Sequence, residues 1–324
     1  MGNLASIIEE YRDELVDSVV YDNASDIDTV ADVLGIDRDY LSAQVRLHIP
    51  YYSLSEIQSR DSISVVRDIL CQLRSRLADF SDYHRHFRAN NGVDSIVYPN
   101  DVDVVAKSKG GRMWIARTPQ ERELRCGTVP ESSGFAIQEH LHYIHCSRKD
   151  TGFHFGLYME DYSEPLCYAA FSDLKREYLK EALCSALPIK CRTPQKVAVM
   201  TRAFGFSPLP KNMMSLLFGS AVRLLSQQGY DYVITAVNPF LGFEGIAFAG
   251  SNFWAFATSP MEYKYNADRQ YLTRSGAKDN FTVQKYPTPS ILWLVTPLRR
   301  KDRQILEKEG AILCHITQDE YAKG

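Results

Sequence analysis

The sequence predicts an α+β protein, with a helical N-terminal region followed by a sheet-bearing remainder flanked by helices. Three observations predict it. Over about the first ninety residues glycine is rare, and apolar residues recur at helical spacing, as in Leu4, Ile7, Ile8 and Tyr11. A turn-rich stretch over 89–100, ending Tyr98-Pro99-Asn100, then breaks that periodicity. Beyond it, short β-type runs alternate with helical ones. The expected division is a helical region over 1–92 and a second unit over 93–324.

Within the helical region, Thr29–Arg46 reads as a helix-turn-helix. Ala31 and Leu34 pack its first helix, and Gly35 supplies a turn that needs positive φ. Asp37 caps the second helix, whose Leu41 and Val45 face inward. Arg38, Gln44 and Arg46 are that helix's candidate readers of nucleic acid. A further helix over about 62–88 carries Arg67, Arg74, Arg76, Arg85 and Arg88.

In the second unit, Val102–Ala106 and Met113–Ala116 are expected strands around the Gly110-Gly111 turn, and Phe135–His145 an expected helix. Phe153–Met159 and Leu166–Ser172 form a hairpin, followed by a helix over Lys175–Cys184. Lys196–Phe204 is a strand, Lys211–Gln227 a long helix and Tyr232–Val237 a buried-type strand. Gly242–Ser251 reads as helical, Phe253–Thr258 as a strand, and Lys301–Glu309 as a helix between the strands Ile291–Pro297 and Ala311–Ile316.

The totals exclude several function classes. Hydrophobic residues at 45% supply a core, and the net charge of −3 means that any basic surface is local. Seven cysteines, at 71, 126, 146, 167, 184, 191 and 314, form an odd set without a CxxC pair. That argues against a disulfide framework or a zinc ribbon and for reduced thiols in a cytoplasmic protein. The opening MGNLASIIEEYRDEL is acidic and amphipathic, unlike a signal peptide. No apolar run approaches the ~18 residues of a membrane span, so no membrane partner is expected. Neither a Walker A loop nor a glycine fingerprint after a strand occurs, which disfavours NTPases and dinucleotide oxidoreductases.

The order of elements from 135 onward is helix, hairpin, strand, long helix, strand, helix, strand. In this order the chain resembles the GNAT acyltransferase superfamily. Finer motifs resemble the branch of the phage DNA-modification protein Mom. They are His142-Tyr143, Phe155-Gly156-Leu157-Tyr158, Pro210-Lys211-Asn212, Asn238-Pro239, Ser251-Asn252-Phe253-Trp254 and Tyr271-Leu272-Thr273-Arg274. The resemblance covers about 135–275. It implies a mixed, splayed β-sheet flanked by helices, with the acyl donor lying between two parted central strands. It also implies an acceptor that is a DNA base.

One loop departs from the superfamily's pattern. The glycine-rich stretch that cradles a CoA pyrophosphate is replaced by Phe204–Asn212, with one glycine and two prolines that remove N–H donors. This leaves room for an aminoacyl-tRNA in place of acyl-CoA as the donor substrate.

Acyl transfer to an amine or hydroxyl needs a base, oxyanion donors and an acid. The candidate catalytic residues are His142 (with His140 as an alternative base), Tyr143, Ser172, Glu244 and Tyr271. Arg202, Lys211, Asn212, Asn238, Ser251, Asn252 and Arg274 are candidates for holding donor or acceptor. On a helix over 135–145, His142 and His145 share a face and His140 does not, so no metal site is expected. Three readings remain open. One is a transferase acting on a DNA base. Another uses a charged tRNA on a small-molecule acceptor. The third is a DNA-binding regulator with a ligand-binding domain. The sequence leaves the oligomeric state open.

Overall fold

The computed structural model describes residues 4–52, 56–57, 61–96, 104–116, 121–267, 271–272 and 284–323. It is a mixed α+β structure built on one large sheet. Among the described residues the chain opens with helices α1 (Leu4–Glu9), α2 (Glu14–Asp22), α3 (Ala24–Leu34), α4 (Arg38–His48) and the long α5 (Ser62–Asn91). Strands β1 (Val105–Lys109), β2 (Arg112–Ala116) and β3 (Arg122–Thr128) follow, then α6 (Glu131–Ala136), which runs into a π-helical turn over Ile137–Leu141. Next come β4 (Phe153–Met159), β5 (Cys167–Asp173), α7 (Glu177–Ala186), β6 (Val197–Gly205), α8 (Met213–Gln227) and β7 (Tyr232–Val237). The chain closes with α9 (Ile246–Ala249), β8 (Trp254–Tyr265), β9 (Tyr271–Leu272), β10 (Gln284–Pro297), α10 (Arg300–Glu309), β11 (Cys314–His315) and α11 (Gln318–Lys323).

The strands form an eleven-stranded sheet in the order β1-β2-β3-β4-β5-β6-β7-β10-β8-β11, with β9 on β8. Neighbours are antiparallel except β6–β7 and β8–β11. The first parallel pair needs a crossover, which α8 provides. Side chains on successive residues of a strand point to opposite faces. On one face α8 packs through Met213, Leu217, Phe218 and Ala221 against Leu157, Ala169 and Val233. The other face carries Tyr168, Phe206, Phe240, Tyr263 and Tyr265, and the N-terminal helices cover it with Leu41, Val45, Ile69, Leu73, Leu77 and Phe80.

The α3–α4 turn has the chemistry read from its sequence. Gly35 takes φ 61°, and the Asp37 carboxylate accepts the N–H groups of Asp39 and Tyr40. Its second helix does not present a free reading face, because Tyr40, Leu41 and all of Ala43–His48 are buried. Gln44 donates to the Tyr143 carbonyl at 2.8 Å, Arg46 pairs with Asp17, and Arg38 pairs with Asp28 at 2.6 Å. These three residues are joined to partners within the chain.

Other boundaries are corrected by packing. The expected helix over 135–145 ends at Leu141, where the π-turn lets His142 leave in an extended conformation. The helix expected over Gly242–Ser251 shrinks to α9, because Gly242 and Gly245 take positive φ. The strand β3 was not expected, its Arg-Glu-Leu-Arg run being too polar to read as one. The strands β8 and β10 run longer than expected, and Val102 lies outside the described residues.

Gly156 shows how tightly the central strands are covered. A Cβ there would lie 2.7 Å from both Pro165 Cβ and Val129 Cγ2. Gly156→Ala is expected to destabilise the fold by roughly 1–3 kcal/mol, the range for overpacking. A urea midpoint that falls at unchanged slope checks this, and an unchanged midpoint contradicts it.

Candidate active site

The site begins where two parallel strands part. β6 and β7 pair over only four residues, from Val197↔Tyr232 to Met200↔Thr235. β6 then stays with β5 as far as Gly205↔Cys167, while β7 stays with β10 as far as Val237↔Leu292. The register of β6 on β5 shifts between Ala170↔Arg202 and Phe171↔Met200, which leaves Thr201 as an extra, bulged residue at the point of parting. A bulge bends its strand and increases its twist, so β6 is steered away from β7. β7 stops at Asn238-Pro239, where proline has no N–H to extend a ladder.

Side chains take over where the ladder ends. Thr235 Oγ1 donates to the Met200 carbonyl at 3.1 Å. Arg202, only 8% exposed, donates one terminal nitrogen to the Thr201 carbonyl (2.7 Å) and the other to the Cys146 carbonyl (3.1 Å). Its Nε has no partner. Alternation along β6 puts Arg202 on the same face as Phe204 and Phe206, beneath the N-terminal helices.

His142 and Tyr143 lie beside Arg202. The Ile144 N–H donates to His142 Nδ1 at 3.3 Å, which leaves the hydrogen of the neutral ring on Nε2. Burial, Arg202 and His145 hold the imidazole well below its usual pKa, so it stays neutral. Burial pushes the Tyr143 hydroxyl up, and its ring lies 5.1 Å from that of Phe243. Asn238 Nδ2 donates to the Tyr263 hydroxyl, while Asn238 Oδ1 is buried without a partner. Tyr271 stands edge-on to Tyr263 at 5.7 Å and acts electrostatically on Arg202.

His142, Tyr143, Arg202, Asn238 and Tyr271 are therefore gathered on one face of the sheet around the parting. Other predicted residues fall elsewhere. Ser172 pairs with Val199, in the closed part of the sheet, with its buried Oγ unpartnered. Lys211 and Asn212 are exposed at the start of α8, and the Lys211 backbone bonds with Val104 and Ala106. Ser251 Oγ donates back to the Ala247 carbonyl, and Asn252 supplies a left-handed turn residue at φ 58°. His140 bonds to Asp79 at 2.7 Å and stacks on Tyr83. Arg274 lies outside the described residues. Among the described residues, no group of three or more His, Cys, Asp or Glu side chains is disposed to hold a metal. Burial pushes the Cys126 thiol up to about 11, and the Cys167 thiol is raised as well.

The sequence reading missed a helical contribution to this face. Tyr40 bonds to His145 Nε2 at 2.6 Å, and His145 Nδ1 lies 3.0 Å from the Glu139 carbonyl. The carbonyl fixes the ring hydrogen on Nδ1, so the Tyr40 hydroxyl donates. Arg76 of α5 acts electrostatically on Tyr40, His145 and Tyr271. A single arginine in a helix gives no signal of this role in the sequence. A cavity of about 590 Å³ opens between α2–α4 and the turn 241–246, lined in part by Arg12, Arg46, Phe243 and Glu244. Phe243 thus stands between the cavity and Tyr143. The Glu244 side chain is 62% exposed and lies 3.9 Å from Arg12.

No family model matches the chain, and no curated protein matches it. Among solved structures, an N-acetyltransferase from Staphylococcus aureus Mu50 is similar at 12% identity, over 54% of this chain and 97% of that chain, with a TM-score of 0.29. Among the described residues, no helix is long and apolar enough to cross a membrane.

The buried histidines predict a pH dependence. Burial holds His48 and His84 at about 4 and His145 at about 3, with His142 also lowered. The unfolded chain takes up these protons near pH 6.5, while the folded chain refuses them. Stability is therefore full above about pH 7, falls as the pH drops below about 6.5, and continues to fall toward 4. The slope is up to about 1.4 kcal/mol per pH unit for each such group. Urea midpoints at pH 7.5, 6 and 5 should fall in that order, and His84→Gln should flatten the fall. A midpoint constant over this range contradicts the assignment.

Proposed function

We propose that the chain is an acyltransferase that moves an acyl or aminoacyl group onto the amine or hydroxyl of a small acceptor. The observation that carries this reading is the parallel pair β6–β7, which parts after Met200↔Thr235 with a polar cluster at the opening. A donor carbonyl lying between the parted strands meets the unpaired edge of Thr201–Gly205, whose backbone N–H groups stabilise the oxyanion. His142 Nε2–H adds a side-chain donor, so this ring polarises rather than acts as the base. Tyr143, kept protonated by burial, supplies the acid for the leaving group. Glu244, on the turn that follows β7, takes the acceptor's proton.

The loop Phe204–Asn212 bears on the donor. Pro208 and Pro210 lack N–H groups, and the Lys211 N–H is bonded to the Val104 carbonyl. Few backbone donors are left there for a pyrophosphate, which supports an aminoacyl-tRNA over acyl-CoA. The internal partners of Arg38, Gln44 and Arg46 support a small acceptor over the DNA base that the Mom likeness implies.

The test offers labelled aminoacyl-tRNA and labelled acetyl-CoA to the purified protein and follows binding and release of the acyl group. Protein-dependent release from aminoacyl-tRNA is expected. Tyr143→Phe should lower kcat roughly ten- to a hundredfold while leaving donor binding within about twofold, as for loss of an acid acting in the transition state. If neither donor binds, the transferase reading fails.

A further inference from the structure

A second cavity, of about 490 Å³, opens where the end of α3, the start of α4 and α5 meet the Ser207-Pro208 segment. Its size falls within the range of roughly 300–1,000 Å³ usual for small-molecule sites. Gly35 lies on its wall, and a Cβ there would meet nothing within 4 Å, so the space over the α3–α4 turn is open.

His84 of α5 forms part of the same wall. It is 2% exposed, and its ring is stacked between Phe80 at 5.3 Å and Phe206 at 5.6 Å. Its Nε2 is buried without a hydrogen-bond partner, and neither ring nitrogen bonds to a described residue. Burial, with Arg88 beside it, holds the imidazole at about 4, so the ring is neutral and carries a lone pair. A buried polar group without a partner is destabilising, and a ligand that supplies one removes that cost.

The charges around this ring decide what such a ligand brings. Arg38 is paired with Asp28 at 2.6 Å. Arg88 is paired with Asp94 and donates to the Ser207 carbonyl at 2.6 Å. Both cations of the wall are therefore committed. The acids are not. Asp37 uses Oδ1 to cap α4, and no bond to its Oδ2 is made among the described residues. Asp32, exposed at the rim, forms no ion pair or side-chain hydrogen bond among the described residues. What is left over is two carboxylates and a neutral imidazole, all able to accept. The ligand that answers them is positively charged and carries N–H donors. An anion meets no uncommitted cation on this wall, and among the described residues no three His, Cys, Asp or Glu side chains are disposed to hold a metal. Ala31, Ile36 and Pro208 give the wall an apolar share that suits a short aliphatic body.

We propose that this cavity binds a small organic cation, a primary ammonium on a short aliphatic chain, with Asp32 and Asp37 facing its charge and His84 accepting one of its N–H groups. Neither Tyr143 nor Glu244 lines the cavity, and the site rests on no part of the transferase reading.

The test measures the melting temperature of the whole chain at pH 7.5, without any acyl donor, against butylamine and 1,4-diaminobutane. Tetramethylammonium, a cation without N–H groups, and inorganic phosphate form separate arms, and sodium chloride at matched ionic strength is the control. A saturable rise with at least one amine, above that with chloride or tetramethylammonium, is expected. Asp32→Asn, at an exposed position, should raise the concentration needed at least tenfold. His84→Phe, which keeps an aromatic ring but removes its nitrogens, should weaken the response by a similar factor, with folding checked by near-ultraviolet circular dichroism. If His84→Phe does not fold, Asp32→Asn alone decides. Glu244→Gln should leave the rise unchanged, which separates this site from an amine acceptor held beside Glu244.

The proposal is overturned if neither amine outperforms chloride, if tetramethylammonium matches the amines, if Asp32→Asn responds like the wild type, or if only phosphate stabilises. Because no donor is present, the cation site can be found even where acyl transfer fails, and the reverse holds equally.

Discussion

Two parallel strands that part after four residue pairs leave an edge, and backbone groups on an edge inside a protein must find other partners. Here the partners are side chains. Thr235 satisfies the Met200 carbonyl and Arg202 satisfies the Thr201 carbonyl, so a hydroxyl and a guanidinium continue the ladder where β7 leaves it. The bulge at Thr201 and the proline after Asn238 make the parting a built feature rather than frayed pairing. Once an arginine is used in this way, it brings a charge into the middle of the sheet. The polarity of the site follows from that charge. His142 is held neutral beside it, and Tyr143 and Tyr271 lie within its field.

The helical layer completes the face rather than only covering it. Gln44 holds the Tyr143 carbonyl, Tyr40 holds His145, and the Tyr265 hydroxyl reaches the Leu47 carbonyl. Leu41, Val45, Ile69 and Phe80 of the helices share one apolar cluster with Tyr168, Phe206 and Tyr263 of the sheet. The conformation of the segment that carries His142 and Tyr143 therefore depends on α4 and α5 as well as on the strands.

The alternation of elements was legible because period-2 and period-3.6 patterns depend on nearby residues. Tyr232–Val237 matches its predicted range, and most of β4, β5, β6 and α8 lie within two residues of theirs. The residues around the parting were partly legible, since His142, Tyr143, Arg202, Asn238 and Tyr271 all reach one face. What failed depended on distant partners. Ser172 reads like a strand-end hydroxyl, yet the register on β6 places it in the closed part of the sheet. Ser251 and Asn252 read as polar site residues, yet local turn bonding accounts for both. Arg76 was read only as one of five arginines on a helix, because nothing in the sequence says which element packs over that helix.

The second helix of the helix-turn-helix pattern shows the same limit from the other side. Gly35 and Asp37 could be read correctly because the turn and the cap involve neighbours in the chain. Gln44 and Arg46 were expected to read nucleic acid, yet both are buried and each has a partner: the Tyr143 carbonyl and Asp17. Sequence polarity distinguishes wet from dry surfaces only while polar groups lack internal partners. In this fold the sheet and α2 supply those partners, so a helix patterned like a nucleic-acid reader instead braces the segment that carries Tyr143.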